Sequence, residues 1–324
     1  MRPSLPIVAV AVVAALACRC GGGGGGPSDD ADASLDTAAD TLADPTADPP
    51  ADPQSDTAGD PSWEDPAPDT EEDPVSAIHE EDGTGPAIWH PAPGTSWQIQ
   101  FSGTPVDTSL DVTMYDIDLF DTPDGTFEAL RADGRIVVCY FSAGSWEDWR
   151  DDRDDFPAAA LGNDLDGWPG ERWLDTRDPT VREIMRARLD VAVARGCDGV
   201  DPDNMDGYTN DPGFPLDYDT QLDYNRFIAA EAHARGLGVG LKNDLDQIGD
   251  LVDDFDWQLN EECFDYVECD AVLPFVEAGK AVFQIEYGGA GLAATICPQA
   301  NAMDLDTLIK NLDLDAWRIP CRGP

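Results

Sequence analysis

The sequence predicts an α/β fold, a (β/α)8 barrel of the TIM type, preceded by a signal peptide and a disordered acidic linker. Three observations predict it. Apolar runs that read as strands start near Trp97, Asp111, Arg135, Gly199, Gly238, Phe255, Ala281 and Thr307, about eight in all. Amphipathic helical patterns return the chain between most of them, and glycines at 134, 196, 236 and 279 stand just past a helix, in the left-handed C-cap position. The strands and their returns occupy roughly 230 residues, the size of such a barrel. An open doubly wound sheet is the competing fold. It lacks a Gly-x-Gly-x-x-Gly after an early strand, so no dinucleotide, and no other cofactor, is expected.

Residues 1–20 have the order of an export signal: Arg2, an apolar run from Leu5 to Ala17 too short to span a bilayer, then Cys18. Ala15-Leu16-Ala17-Cys18 resembles a bacterial lipobox, with Ala15 where Leu is usual. The resemblance implies acylation of Cys18 and a lipid anchor at the cell surface; plain secretion is the alternative. Residues 21–88 form the linker. Between Gly21 and Pro86 it holds 19 acidic residues and no Lys or Arg, a composition that cannot bury a core and reads as a self-repelling tether. The barrel domain is then 89–324, with the remaining 47 of the 66 acidic residues against 17 of the 19 Lys and Arg. So acidic a domain excludes nucleic acid and anionic membrane surfaces as partners, leaving the lipid anchor as the one membrane contact, and it favours a cationic ligand. A monomer is expected.

In the barrel domain, Trp97-Gln98-Ile99-Gln100-Phe101 alternates and ends at Ser102-Gly103; Asp111 to Phe120 gives the second strand, with Tyr115, Asp116 and Asp118 near its end. Arg135 to Phe141 leads into Ser142-Ala143-Gly144. Asp178-Pro179 is an N-cap followed by Pro at the first helical position, and Val181, Ile184, Met185, Leu189 and Ala192 mark the apolar face of the helix that follows. A second helix spans about Asp219 to Arg235. Six cysteines follow the leader, and an exported chain with an even set suggests disulfides. Cys263 with Cys269 and Cys297 with Cys321 are open pairings; Cys139, inside an apolar strand, fits a buried free thiol equally well.

The stretch around which the domain is organised is Gly199-Val200-Asp201-Pro202-Asp203-Asn204-Met205-Asp206-Gly207-Tyr208. It places three carboxylates within six positions at the end of an apolar strand, a costly arrangement unless they bind a cation, share a proton or do chemistry. In a barrel the C-terminal strand ends converge on one face, and here they carry Tyr140, Asp201, Asp203, Lys242, Asn243, Asn260, Glu261, Glu286 and Tyr287. Two carboxylates on different strands facing one pocket suit glycosidic bond cleavage, and Asp203 with Glu261 is the pair that fits best. Asp201, Asp206 and Glu286 read either as ligands of a cationic sugar or as oxygen ligands for calcium; no Asp-x-Asp-x-Asp-Gly loop supports the metal. Trp146, Trp149, Trp168, Trp173 and Tyr208 fall near predicted loops beyond the strands and suit stacking on sugar rings.

Taken in order, Tyr115-Asp116-Ile117-Asp118, Val138 to Ser145, Gly167-Trp168-Pro169-Gly170-Glu171-Arg172-Trp173-Leu174-Asp175, the decamer at 199–208, Gly240-Leu241-Lys242-Asn243, Leu259-Asn260-Glu261-Glu262-Cys263 and Glu286-Tyr287 resemble the endo-α-1,4-polygalactosaminidase family of glycoside hydrolases. The resemblance implies endo-acting cleavage of α-1,4-linked galactosamine polymers with retention, Asp203 as nucleophile and Glu261 as acid/base. Asp116, Asp118, Tyr140, Trp168, Asp201, Asp206, Tyr208, Lys242, Asn243, Glu286 and Tyr287 are the candidate substrate-binding residues. Asp201 stands where many relatives have Glu, and Glu262 where Gln is usual. The alternatives are a tethered cationic-polysaccharide-binding protein without hydrolysis, or a glycosidase for another α-linked sugar. The acid of such a pair needs a raised pKa, expected from poorer solvation of Glu261 or from the charge of Asp203.

Overall fold

The computed structural model describes residues 88–323; the export signal, Cys18 and nearly all of the acidic linker lie outside the described residues. In chain order the strands are β1 (Trp97–Gln100), β2 (Met114–Asp118), β3 (Ile136–Ser142), β4 (Ser145–Glu147), β5 (Leu161–Asp164) and β6 (Glu171–Leu174). They continue as β7 (Gly199–Asp203), β8 (Gly238–Lys242), β9 (Trp257–Glu261), β10 (Val282–Tyr287), β11 (Asp306–Lys310) and β12 (Arg318–Pro320). The helices are α1 (Asp124–Ala132), α2 (Pro179–Arg195), α3 (Tyr218–Ala234), α4 (Ile248–Leu251), α5 (Cys263–Tyr266), α6 (Leu273–Glu277) and α7 (Ala293–Ala302). One sheet runs β1-β2-β3-β7-β8-β9-β10-β11-β12, parallel from β1 to β11, and the eight parallel strands are the eight expected. The last strand, β12, pairs antiparallel with β11. Between β3 and α2 the chain adds a three-stranded antiparallel sheet, β4-β6-β5, where only loops were expected.

Strand alternation sorts the apolar residues into two cores. Tyr115, Ile117, Val137, Phe141, Val200, Val239 and Val282 pack outward under the helices, while Ile99, Met114, Val138, Trp257, Leu259, Phe283 and Leu308 fill the barrel. The floor is built round Trp257: a Cβ on Gly199, Gly238 or Gly240 would meet its ring at 2.7, 3.0 or 2.2 Å. Glycine on two adjoining strands thus makes room for one indole, whose truncation to Ala would cost about 3–5 kcal/mol.

Helix α2 begins as its sequence predicts, with the Asp178 side chain accepting from Thr180 N and Pro179 at the first position, and it ends at Gly196 with φ 77°. Its buried face also carries Arg188, which donates to Ser142 O at 2.7 Å and to Asp152. Helix α3 is held by a reciprocal box between Asp217 and Thr220. Cys263–Cys269 and Cys297–Cys321 are disulfides, as is Cys139–Cys197. The last corrects the free-thiol alternative for Cys139: Cys197 precedes β7, the strand paired with β3, which brings the two Cα atoms to 6.1 Å.

Candidate active site

Side-chain parity decides what reaches the mouth of the barrel. Inward positions on β3, β7, β8, β9 and β10 end in Tyr140, Asp203, Lys242, Glu261 and Tyr287. Lys242 stands between the two carboxylates, its Nζ 3.2 Å from Asp203 Oδ1 and 3.4 Å from Glu261 Oε2. Those two oxygens are therefore at most 6.6 Å apart, the sum of the two distances. Asp203 also accepts from Tyr140 OH at 3.1 Å and from Asn204 N at 2.8 Å. Glu261 accepts from Tyr287 OH and, at 3.2 Å, from Asn243 Nδ2. Asn243 bends back to do this: with φ 48° its Oδ1 also accepts from Glu261 N. Phe101 packs against Tyr140 with ring centroids 4.2 Å apart and the planes tilted by 35°.

The charges explain the protonation pattern. Burial alone would drive Lys242 toward neutrality, but Asp203, Glu261 and Asp201 outweigh it and hold the ammonium charged. One layer deeper, Asp116 and Asp201 are fully buried and have no hydrogen-bond donor among the described residues. Burial raises both, Asp201 to about 7; the Asp201 charge raises Asp116 further, and Lys242 opposes the rise in each. Raised together in this way, the two carboxyls titrate as a pair and make a partly neutral floor under the reacting residues. The side chains of Asp203 and Glu261 are almost equally exposed, 22% and 24%, so solvation does not single out Glu261 as the acid.

Beside the pair, burial raises Asp206 to about 6 and Asp244 to about 8. Asp244, which sequence reasoning passed over although it follows Lys242-Asn243, accepts from Asn225 Nδ2 at 2.7 Å and faces the buried Tyr208 hydroxyl. Trp168 is 53% exposed in a cleft of about 760 Å³ that it lines with Trp146, Asp164, Asp166, Glu171 and Arg172; neither carboxylate of the pair lines it. Glu171 also escaped notice, because its motif was read for the indole. Two nominated residues lie elsewhere. Asp118 is locked to Arg150 at 2.8 Å and to the backbone of Phe120 and Asp121, and Glu286 faces the helix layer, accepting from Phe264 N and Gln284 Nε2. Trp173 is buried in β6, not presented to a groove. Among the described residues, no group of three or more His, Cys, Asp or Glu side chains is arranged to hold a metal ion.

Comparison with known proteins identifies the family. The profile of glycoside-hydrolase family GH114 matches residues 80–324. The crystal structure of Aspergillus fumigatus Ega3 in complex with galactosamine is 45% identical, with a TM-score of 0.70 over 72% of this chain and 98% of that one. The glycoside hydrolase domain of Pseudomonas aeruginosa PelA shares the fold at 13% identity, TM-score 0.56, over 69% of this chain and 97% of its own. An uncharacterized protein of Deinococcus radiodurans is 28% identical over 213 residues, 56% of this chain and 68% of that protein. The chain is a glycoside hydrolase and belongs to family GH114, the polygalactosaminidase family its motifs resemble.

Proposed function

We propose that the protein cleaves α-1,4-linked galactosamine-containing polysaccharide within the chain and with retention, Asp203 acting as nucleophile and Glu261 as acid/base. The observation that carries this reading is the single ammonium of Lys242 within 3.4 Å of both carboxylates. It limits the two oxygens to at most 6.6 Å, a span that admits the about 5–5.5 Å of a retaining pair and only the lower edge of the roughly 6.5–9.5 Å that an intervening water needs. Glu261 gives its proton to the glycosidic oxygen as Asp203 attacks the anomeric carbon; Glu261 then takes a proton from the water that releases the sugar. Tyr140 and Asn204 fix the attacking carboxylate, and Tyr287 and Asn243 fix the acid.

Galactosamine bound to Ega3, at 45% identity, supports the sugar. So does the acidic mouth of the barrel, where Asp206, close enough to feel the charges of Asp203 and Glu261, suits an ammonium on C2. Incubation of the purified protein with partly deacetylated α-1,4-galactosaminan, with product anomers followed by NMR from the first turnovers, tests the reading. Initial α-anomer in internal fragments is expected; initial β-anomer would refute retention, and no cleavage would refute the substrate. One chain supplies both carboxyls and their donors, so a monomer suffices. We also propose export and anchoring through Cys18, on the lipobox resemblance: Cys18→Ala should move the protein out of the membrane fraction, and unchanged fractionation would count against it.

A further inference from the structure

The loop after β3 is fastened to the nucleophile's own backbone. Ala143 N and Gly144 N donate to Asp203 O at 2.9 and 3.1 Å. A Cβ on Gly144 would stand 1.8 Å from Asn204 O, so only glycine allows the approach. Buried side chains grip the same loop from below: Arg188 donates to Ser142 O at 2.7 Å and Tyr224 OH to Ala143 O at 2.6 Å. Within this rigid frame runs a chain of side-chain hydrogen bonds. Asn204 Nδ2 donates to Ser142 Oγ at 2.9 Å and approaches Ser145 Oγ at 3.3 Å. The two hydroxyls are 2.6 Å apart, and Ser145 Oγ donates to Glu171 Oε2 at 2.6 Å. Asn204, held at φ 61°, then donates through its own N–H to Asp203 Oδ1.

The direction of every proton in this chain is set at its far end. With Ser145 giving its hydrogen to the Glu171 carboxylate, Ser142 must give its own to Ser145, and Ser142 Oγ is left to accept from Asn204. A protonated Glu171 keeps a carbonyl acceptor but gains a hydroxyl that can itself donate into the chain, so the order of donors is no longer fixed and the hydroxyls are free to turn.

We propose that Glu171 is a positioning residue, which through Ser145 and Ser142 fixes the side chain of Asn204 and with it the attacking carboxylate of Asp203. This rests on the reading of Asp203 as nucleophile. Glu171 is 7% exposed, on β6, and no term of the glycosidase reaction described above employs it. Burial raises its pKa to about 7; the Ser145 hydroxyl opposes the rise, Glu147 on β4 and Asp203 on β7 add to it, and Arg150 offsets them. Arg172, Asp164 and Asp166 face the same cleft. The carboxyl therefore changes charge near neutral pH, and the relay is set on the alkaline side of that change.

The test has one arm that needs no substrate. In the full-length protein, the Asn204 side-chain amide followed by NMR should shift with a midpoint near pH 7, and the shift should vanish in Glu171→Gln and in Ser145→Ala. In the second arm both variants should lose about tenfold in kcat with KM within twofold, since a small misplacement of a reacting group costs turnover rather than affinity, and Glu171→Gln should lose the part of the acid limb centred near pH 7. An Asn204 titration that survives either variant overturns the relay. So does a loss that falls on KM, which would make Glu171 a sugar-binding group instead. Should Glu171→Gln fail to fold, Ser145→Ala, one hydroxyl smaller, carries both readouts. Absence of cleavage by the wild type would refute the proposed function, and the NMR arm would still decide the relay.

Discussion

Lys242 sets the charge balance at the mouth of the barrel, because one buried ammonium answers Asp203, Glu261 and Asp201 together. Lys242→Met should therefore do more than remove a contact. Without the cation Asp201, whose carboxyl Lys242 holds down, ionises only at higher pH, so an acid limb of kcat/KM that follows it should move up in pH while turnover falls about a hundredfold; an unmoved limb would show that Lys242 does not govern it. Asp203→Asn removes the attacking charge and should cost about a thousandfold or more in kcat, and Glu261→Gln should cost less on substrates with good leaving groups, which need little protonation. Equal losses of Glu261→Gln on good and poor leaving groups would deny it the acid role. These residues were legible because each ends a strand on the inward parity. Glu286 and Tyr287 show where legibility stops: both were nominated, yet neighbours on a strand face opposite sides, and only Tyr287 turns in.

At the scale of elements, β3 and β7 are joined twice, by their ladder and by Cys139–Cys197 across 58 residues. In the chain-entropy account a loop of that size is worth about 4 kcal/mol. The double variant Cys139→Ala/Cys197→Ala should lose stability on that scale in urea denaturation, and a loss under about 1 kcal/mol would indicate that the ladder alone fixes the pair. Asp178→Ala should cost about 1 kcal/mol at the start of α2, read the same way. Caps, helix faces and strand starts were readable because each is local. The β4-β6-β5 sheet was not, because its strands are three or four residues long, too short for alternation to show, and Trp146 and Trp173 read as loop aromatics. Glu171 was hidden with it, since its neighbours across the ladder and through Ser145 are distant in sequence.

For the whole molecule, acid should stabilise before it denatures. Burial raises Glu171 and Asp201 to about 7, Asp206 and Asp306 to about 6 and Asp244 to about 8, all above their unfolded values near 4. Between those limits the folded protein binds more protons than the unfolded chain, so stability rises as pH falls from about 8 toward about 5. Asp175, Asp256 and Glu231, held below the usual range by their partners, act oppositely, and their contribution is lost only as pH drops further. Melting temperature should thus increase from pH 8 to pH 5 and then turn over; a steady fall across that window would contradict the assignment. The composition already announced an acidic domain. It did not say which carboxyls are buried, because that depends on the barrel placing Asp116 and Asp201 beneath Asp203.

The barrel has a seam. Between β11 and β1 the closing bonds come from side chains and loops: Lys310 Nζ to Ile99 O at 2.8 Å and to Asp315 O at 2.6 Å, Arg318 to Trp97 O at 3.0 Å, and Phe101 N to Leu314 O at 2.9 Å. The cylinder is thus finished by residues that follow the eighth strand, Leu314, Asp315 and Arg318 among them. Until they arrive, the first strand and the eighth each present an unpaired row of backbone groups, the kind of border that recruits strands from neighbouring chains. A polypeptide stopped before Asn311 should therefore come off a sizing column as aggregate while the full chain elutes as one species, and a well-behaved truncated monomer would show that the ring closes without its final strand.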